Sequence, residues 1–414
     1  MRPQILLDRD LPRTDDSRIA ELFAQRAAGH TLPQALYMSD AAFDFDMRAI
    51  FERSWLQIGF EAEICDVGSY ITVEIGKSSV VIIRDRDMNV RAFMNTCRHR
   101  GARICPEGSG AARRLVCPYH QWTYDLSGTL IHARNMGPDF DQSIHGLIPV
   151  QCETVAGLIF IALSEDVPPF GPFRTALEPL LAPHNLKDAK VAHAMVIVED
   201  ANWKLVMENG RECYHCNARH PELLTAFRDP SKENYFGQTP PWMTEFQSMC
   251  TGLGFKVGPE EGEWYDMQRF PLAEGAVSLT TDGKLGCRKM LMEAPAQGLG
   301  SFRWATEPQS FSHALADYAF SFEAWPVSPT RTNVKAKWLV HKDAVEGVDY
   351  EIEHLTALWR ATNDQDKWLS ENNHLGVASA GYRPGPYSKS DEGKVLDFVD
   401  WYCRRAESYI NRKI

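Results

Sequence analysis

Apolar and polar positions follow three successive textures along this chain. Residues 15–55 carry stretches rich in Arg, Ala and Glu that read as helix, and in SDAAFDFDMRAIFERSW either Ser39 or Asp40 stands where a helix cap belongs. From Leu56 the period falls to two. The stretch SYITVEIGKSSVVIIRDRDMNVRAFMNT alternates β-branched and polar residues around Gly-Lys-Ser and Asp-Arg-Asp turns, which predicts short antiparallel strands. That texture runs to about residue 163, where VAGLIFIAL (155–163) reads as a buried strand. The Pro-rich 164–172 (SEDVPPFGP) interrupts it and marks the best domain boundary. Beyond it, HAMVIVEDANWKLVMENGRECYH predicts a strand followed by a helix, and YAFSFEAWPV and TNVKAKWLVH predict further strands. The last seventy residues return to helix, most strongly over 350–372 and 393–411. The expected fold class is α+β: an N-terminal helical segment (1–54) packed on the larger unit, a small antiparallel β domain (55–165) and a larger domain of antiparallel sheet with helices (166–414).

Composition narrows the partners. A chain of 414 residues can bury two or three full cores. The net charge of −11, with no run of Lys or Arg, argues against nucleic acid and mildly suits a cationic substrate. The N-terminus, MRPQILLDRDLPRTDD, has charges where a signal peptide needs an apolar core, and 155–163 is too short to cross a bilayer. Ten cysteines without such a signal predict reduced thiols in a cytoplasm, some of them ligands.

Two Cys/His pairs supply the first candidate chemistry. Cys97-Arg-His99 is followed by Cys117-Pro-Tyr-His120. Four such ligands could form a tetrahedral zinc site. They could equally hold a Rieske [2Fe–2S] cluster, where two thiolates take one iron and two imidazoles the other. The surroundings favour the cluster. Both pairs sit between strand-like runs, Asp125-Leu-Ser-Gly128 looks like a hairpin turn, and neither His lies on a helical pattern as in a zinc finger. Cys105 reads as a buried thiol near these ligands.

The second set begins at Asn202-Trp203-Lys204 and continues through Glu208, Glu212, His215 and His220 to Pro221. Two His five apart lie about 140° apart on a regular helix. They can converge only if the helix ends or distorts, and Pro221 fits such an end. Such a pair, joined by a distant carboxylate, is what a 2-His-1-carboxylate Fe(II) site requires. Glu212, three residues before His215, would point the same way along a helix. Cys213-x-x-Cys216 lacks a thioredoxin-like context, and both thiols read as packing residues.

Cys97-Arg-His99-Arg-Gly101 and Cys117-Pro-Tyr-His120-Gln-Trp122-Thr-Tyr-Asp resemble the Rieske domain of the Rieske non-haem iron oxygenases. Most members have Gly after the second His, whereas this chain has Gln121. The likeness continues through the mononuclear-iron motif and spans about Trp55 to Tyr402. It implies a β Rieske domain, a helix-grip-like catalytic domain, a [2Fe–2S] cluster on Cys97, His99, Cys117 and His120, and Fe(II) on His215 and His220. The family places the third ligand in an acidic-or-Gln, Asp, four-residue, Glu arrangement; Gln365-Asp366 and Glu371 fit it, making Asp366 the choice and Asp364 the reserve. In the family an acidic residue at Glu212 links a cluster His of one subunit to an iron-ligand His of its neighbour, which implies a ring of subunits, most simply a homotrimer.

Glu at position 212, in Asn-Gly-Arg-Glu-Cys-Tyr-His, and the tail Tyr-Arg-Pro-Gly-Pro-Tyr-Ser resemble the branch acting on quaternary ammonium compounds. That branch implies O2-dependent N-demethylation of a betaine, carnitine or choline relative, with release of formaldehyde. The alternatives are an arene dihydroxylase or aromatic O-demethylase with the same metals, and a non-catalytic Rieske electron carrier. No Gly-x-Gly-x-x-Gly fingerprint is present, so NAD(P)H electrons would enter through a separate flavin/iron–sulfur reductase. A quaternary ammonium group favours aromatic faces. Tyr235, Phe236, Trp242, Phe246, Trp304, Phe320 and Trp325 are the aromatic candidates, with no means of selecting a cage among them.

Overall fold

The computed structural model describes residues 14–228, 239–293 and 298–412. Tyr235 and Phe236 lie outside the described residues. The N-terminal segment forms helices Thr14–Ala24, Gln34–Met38 and Asp40–Ala49. Ser39, not Asp40, is the cap: its side chain accepts the Ala42 N–H.

The first large sheet is wholly antiparallel and has seven strands. Their spatial order is Leu56–Phe60, Leu158–Ala162, Pro149–Val155, Val90–Met94, Ser78–Arg84, Ser69–Ile75 and Ser109–Ala111. Strand Ser78–Arg84 is buried at every position because both its faces are covered. Val80 and Ile82 join the main core, while Val81 and Ile83 join a smaller core that holds Cys97, Cys117 and Trp122. The two-residue period of a strand thus divides the two cores. A three-stranded sheet, Leu115–Val116, Thr123–Tyr124 and Leu130–His132, carries the second Cys/His pair. Its hairpin turns on Gly128 (φ +83°), where a Cβ would lie 2.5 Å from the Phe93 ring. The last strand of the large sheet in chain order ends at Ala162 and a helix begins at Phe170, so the run of strands ends at the Pro-rich segment.

The second large sheet is also antiparallel. Strand Ala189–Glu199 lies at one edge beside the last strand, Arg331–His341, followed by Ala319–Ser328, Ser310–Ala314, Ser301–Thr306, Tyr265–Phe270 and Glu260–Gly262. One face sets Phe320 flat against Trp359 of the long helix Ile352–Ala378, with ring centroids 4.4 Å apart. The other face meets the first sheet's domain: Lys337 pairs with Glu63 at 2.8 Å, and Trp304 Nε1 donates to Gln57 Oε1 at 3.0 Å. Helix Ile352–Ala378 runs past the expected end at 372. His374 and Val377 are buried, and this packing carries the helix further.

Helix Trp203–Asn209 is much shorter than the sequence suggests. Asn202 caps it, its side chain accepting the Lys204 N–H. A buried carboxylate anchors it: Asp46 pairs with Lys204 and accepts from Trp203 Nε1 (2.9 Å) and from the Tyr402 hydroxyl (2.7 Å). At the far end Glu208 accepts from the hydroxyls of Tyr37 (2.8 Å) and Tyr387 (2.9 Å). Three remote segments therefore converge on seven residues of helix.

Burial pushes the Glu208 carboxyl up to about 7, against the opposing effect of the two tyrosine hydroxyls. A carboxyl raised in the folded state adds stability at low pH that is lost as pH climbs through that value. Wild type should therefore lose more thermal stability between about pH 5 and about pH 7.5 than Glu208→Gln, as read by melting curves across that window. Parallel curves for the two proteins would refute the assignment.

Candidate metal centres

The two Cys/His loops share one backbone frame. The N–H of Cys97 donates to Ala102 O (2.8 Å) and that of Gly101 to Cys97 O (3.0 Å). In the second loop Cys117 N–H donates to Trp122 O (2.9 Å) and Gln121 N–H to Cys117 O (3.0 Å). Gly101 has φ +79° and Gln121 φ +61°. Gln121 therefore holds a left-handed position that the other loop gives to glycine, at a cost of about 1–2 kcal/mol. Cys97 and Cys117 are buried, whereas His99 and His120 are exposed, their rings 4.7 Å apart. Two sulfurs inside and two imidazoles outside suit a cluster with one sulfur-held and one nitrogen-held iron. Asn95 fixes the surrounding backbone, accepting from the N–H groups of Ile104 and Cys105 and donating to Cys105 O. Cys105 itself is buried in the same small core, and burial pushes its thiol up to about 11. The Tyr124 hydroxyl lies 3.5 Å from Cys97 Sγ.

The second set is assembled by a break in the helix. Trp203–Asn209 stops at Gly210, and a single turn, Cys216–Arg219, follows. His215 and His220 are the residues flanking that turn. Their Nε2 atoms approach to 3.0 Å, and Asp366 Oδ1 lies 3.3 Å from the first and 3.0 Å from the second. Ligands about 2.1 Å from one ion and at right angles to each other stand about 3 Å apart, as in a facial triad. Asp366 Oδ1 is buried yet accepts no well-directed hydrogen bond. An oxygen and two ring nitrogens aimed at one point fit a cation between them. Asp364, two residues earlier on the same helix, is exposed.

Each imidazole is oriented from behind. His215 Nδ1 lies 2.5 Å from Glu212 Oε1, and His220 Nδ1 lies 2.7 Å from Gln365 Oε1. Gln365 is itself held by donating to Glu222 Oε2 at 2.7 Å, and the Asn209 side chain hydrogen-bonds Asp366. Such partners fix which ring nitrogen faces the metal. Burial opposes a charge on His215, but Asp366 and Glu212 outweigh it and hold its pKa up at about 9. Burial likewise works against the Asp366 carboxylate, yet His215 and His220 keep it below its usual range. This charge pattern is the one a bound cation would replace.

Residues 54–152 match the family described as the Rieske [2Fe-2S] domain, and residues 186–408 the ring hydroxylating alpha subunit (catalytic domain). The chain is 43% identical to the glycine betaine monooxygenase oxygenase subunit of Pseudomonas aeruginosa (strain UCBPP-PA14), covering 93% of this chain and 91% of that one. This chain belongs to the Rieske non-haem iron oxygenases. The corresponding subunit of Chromohalobacter salexigens is 41% identical over 92% of this chain and 87% of its own length. The fold also matches the crystal structure of a quaternary ammonium Rieske monooxygenase in complex with L-carnitine, with a TM-score of 0.69 at 23% identity, covering 93% of this chain and 98% of that one. Rieske oxygenases use a [2Fe–2S] cluster and a mononuclear iron, and both donor sets described above suit those groups.

Against this Rieske oxygenase frame, three expectations need correction. Glu212 and His215 do not share a helix; they meet in the turn after Gly210, where Glu212 also accepts the N–H groups of Tyr214 and His215. Cys213 and Cys216 are joined as a disulfide rather than packed as free thiols, because the same turn brings their Cα atoms to 4.9 Å. The described aromatic candidates do not gather. Trp304 faces the first sheet's domain, Trp242 and Phe246 belong to a separate small core, and Trp325 lies under the Lys335 ammonium. Only Phe320 lies on the long-helix face, against Trp359. In the sequence Gln365 stands only as part of a pattern, and nothing local marks Glu222 or Asn209. Their signal was hidden because their partners are distant in the chain.

Gln365→Leu should leave the red-brown cluster absorption unchanged and lower iron affinity at the second site about 10–100-fold. Iron per chain, measured after dialysis against a weak chelator, checks this; full occupancy in the variant would refute it.

Proposed function

We propose that this chain is the oxygenase component of a betaine-type N-demethylase. The observation that carries this reading is the 43% identity to a glycine betaine monooxygenase oxygenase subunit, sustained over 93% of the chain. The net charge of −11 is compatible with a cationic substrate. In the net reaction one N-methyl C–H becomes C–OH. Two electrons and two protons reduce the second oxygen atom of O2 to water. The hydroxymethyl ammonium then splits into formaldehyde and a tertiary amine.

Cys97, Cys117, His99 and His120 are the proposed cluster ligands, and His215, His220 and Asp366 the proposed iron ligands. When bound, the cluster supplies electrons and the mononuclear iron supplies the oxygen chemistry. The protein's own share is geometric. Glu212 and Gln365 set the tautomers of His215 and His220, so that both Nε2 atoms face Asp366. Glu212 has its Oε1 on His215 and is the proposed link to an exposed cluster histidine of a neighbouring subunit, which favours a homotrimer. A separate flavin/iron–sulfur reductase would deliver the electrons. No helix of the described residues is long and apolar enough to cross a membrane, and a cytoplasmic site suits that reductase.

The test combines iron-loaded protein, a flavin/iron–sulfur reductase, NADH and a panel of glycine betaine, carnitine, choline and simple arenes. Formaldehyde released in step with oxygen uptake on a betaine is the expected result. Oxygen uptake on an arene without formaldehyde would instead assign ring hydroxylation. His215→Ala should keep the cluster colour and lose turnover. Glu212→Gln should retain both metal centres but slow electron transfer between them, and an unchanged single-turnover rate would remove its bridging role.

A further inference from the structure

The long helix Ile352–Ala378 carries more than Asp366 on its inner face. Trp359, Asn363 and Asp366 follow one another at steps of four and three residues, so their side chains share that face. Thr362 and Asn363 are both buried there. Thr362 turns its hydroxyl back on its own helix, donating to Leu358 O at 2.9 Å. Asn363 is 2% exposed, and its Nδ2 has no hydrogen-bond partner among the described residues. An amide left unpaired in the interior is a cost to the fold. Thr356 and Ser370 on the same helix also carry unpartnered hydroxyls. Thr356 lies nearly three turns from Asp366, however, and Ser370 approaches Glu199 instead. Asn363 is the unpaired donor within one turn of the proposed iron ligand.

The sheet opposite supplies aromatic faces. Phe311 pairs with Phe322 and His313 with Phe320 across two neighbouring strands, and Phe320 lies against Trp359. All four therefore lie on the face turned to the long helix. The Phe311 and Phe322 rings are 4.6 Å apart. Phe311 packs on Gly210, where an added Cβ would meet its ring at 3.3 Å, and the adjacent Asn209 hydrogen-bonds Asp366. Two residues along the strand, the His313 ring lies 4.9 Å from that of Trp359. Asn363 thus stands between an end closed by rings at Trp359 and a metal end at Asp366, with Phe311 beside the latter. Burial and the nearby Arg303 push His313 down to about 3, so it adds no positive charge.

We propose that Asn363 is a specificity-determining residue, its amide N–H donating to the carboxylate of a short betaine while the Phe311 and Phe322 rings face the quaternary ammonium group. The proposal rests on the reading of this chain as a betaine N-demethylase. Side chains three residues apart on a helix have Cβ atoms about 5–6 Å apart. In glycine betaine one methylene separates ammonium from carboxylate, so an N-methyl carbon and the carboxylate carbon lie at most about 4 Å apart. An N-methyl group held at the metal end leaves that carboxylate about one helical turn away, beside Asn363. Choline has a hydroxyl in place of the carboxylate and forgoes the charge-assisted hydrogen bond. Asn363 orients the substrate and takes no part in bond making.

Calorimetric titration of the full-length, iron-loaded protein without oxygen reads binding apart from turnover. Glycine betaine and choline are the probes, and wild type is compared with Asn363→Leu and Asn363→Asp. Wild type should bind glycine betaine more tightly than choline. Either substitution should cut that preference about 10–100-fold by weakening glycine betaine alone. Iron per chain and cluster absorption should match in all three proteins, and Asn363→Leu carries the comparison if the carboxylate of Asn363→Asp disturbs the iron. At equal glycine betaine concentration the melting temperature of wild type should rise more than that of Asn363→Leu. An unchanged preference in Asn363→Leu would overturn the proposal. Equal weakening of both probes would assign Asn363 a structural role, and loss of iron from both variants would assign it to the metal site; either result overturns it too. Wild type that binds neither probe would overturn the betaine reading itself, a result seen without any variant.

Discussion

The stop of helix Trp203–Asn209 at Gly210 is the constraint on which the catalytic half depends. Had the helix continued through residue 220, His215 and His220 would lie about 140° apart and could not share a metal. The stop releases six residues into a turn, and the single helical turn that follows presents the two imidazoles from its two ends. A short helix has little stability of its own. This one is held by tertiary contacts: Asp46 from the N-terminal helices, Tyr402 from the last helix and Tyr387 from the C-terminal tail. Residues at the two ends of the chain thus secure the position of a site in its middle.

The same logic appears at the cluster loops, in a different material. There the sheet supplies the rigidity. Strand Ser78–Arg84 is covered on both faces and separates the small core of the cluster loops from the main core. The loops then repeat one hydrogen-bonded frame twice, placing sulfur inward and imidazole outward. Gln121 shows how firmly the frame is imposed. A residue with a Cβ accepts a left-handed conformation because the Cys117 and Trp122 hydrogen bonds leave the backbone no other path.

Electrostatics divide the surface by task. The chain as a whole is acidic, residues 96–124 carry five arginines against one carboxylate, and the triad region brings Asp366 and Glu212 to two histidines.

The sequence by itself determined the strand and helix textures, the end of the strand run after residue 163, and the candidate donor types at 97, 99, 117, 120, 215 and 220. These were legible because their signals are local: a period of two, a proline run, or Cys and His a few residues apart. The choice between Asp364 and Asp366 was legible only through family resemblance. In the fold it follows from which carboxylate of one helix meets the two imidazoles. Tertiary structure alone decided where helix Trp203–Asn209 stops, that Cys213 and Cys216 lie within bonding reach, that Gln365 orients His220, and that the described aromatic candidates divide between two cores. Each of these rests on contacts between residues far apart in the chain or on the path of a turn. A periodic pattern encodes which face is apolar, but not what that face will meet.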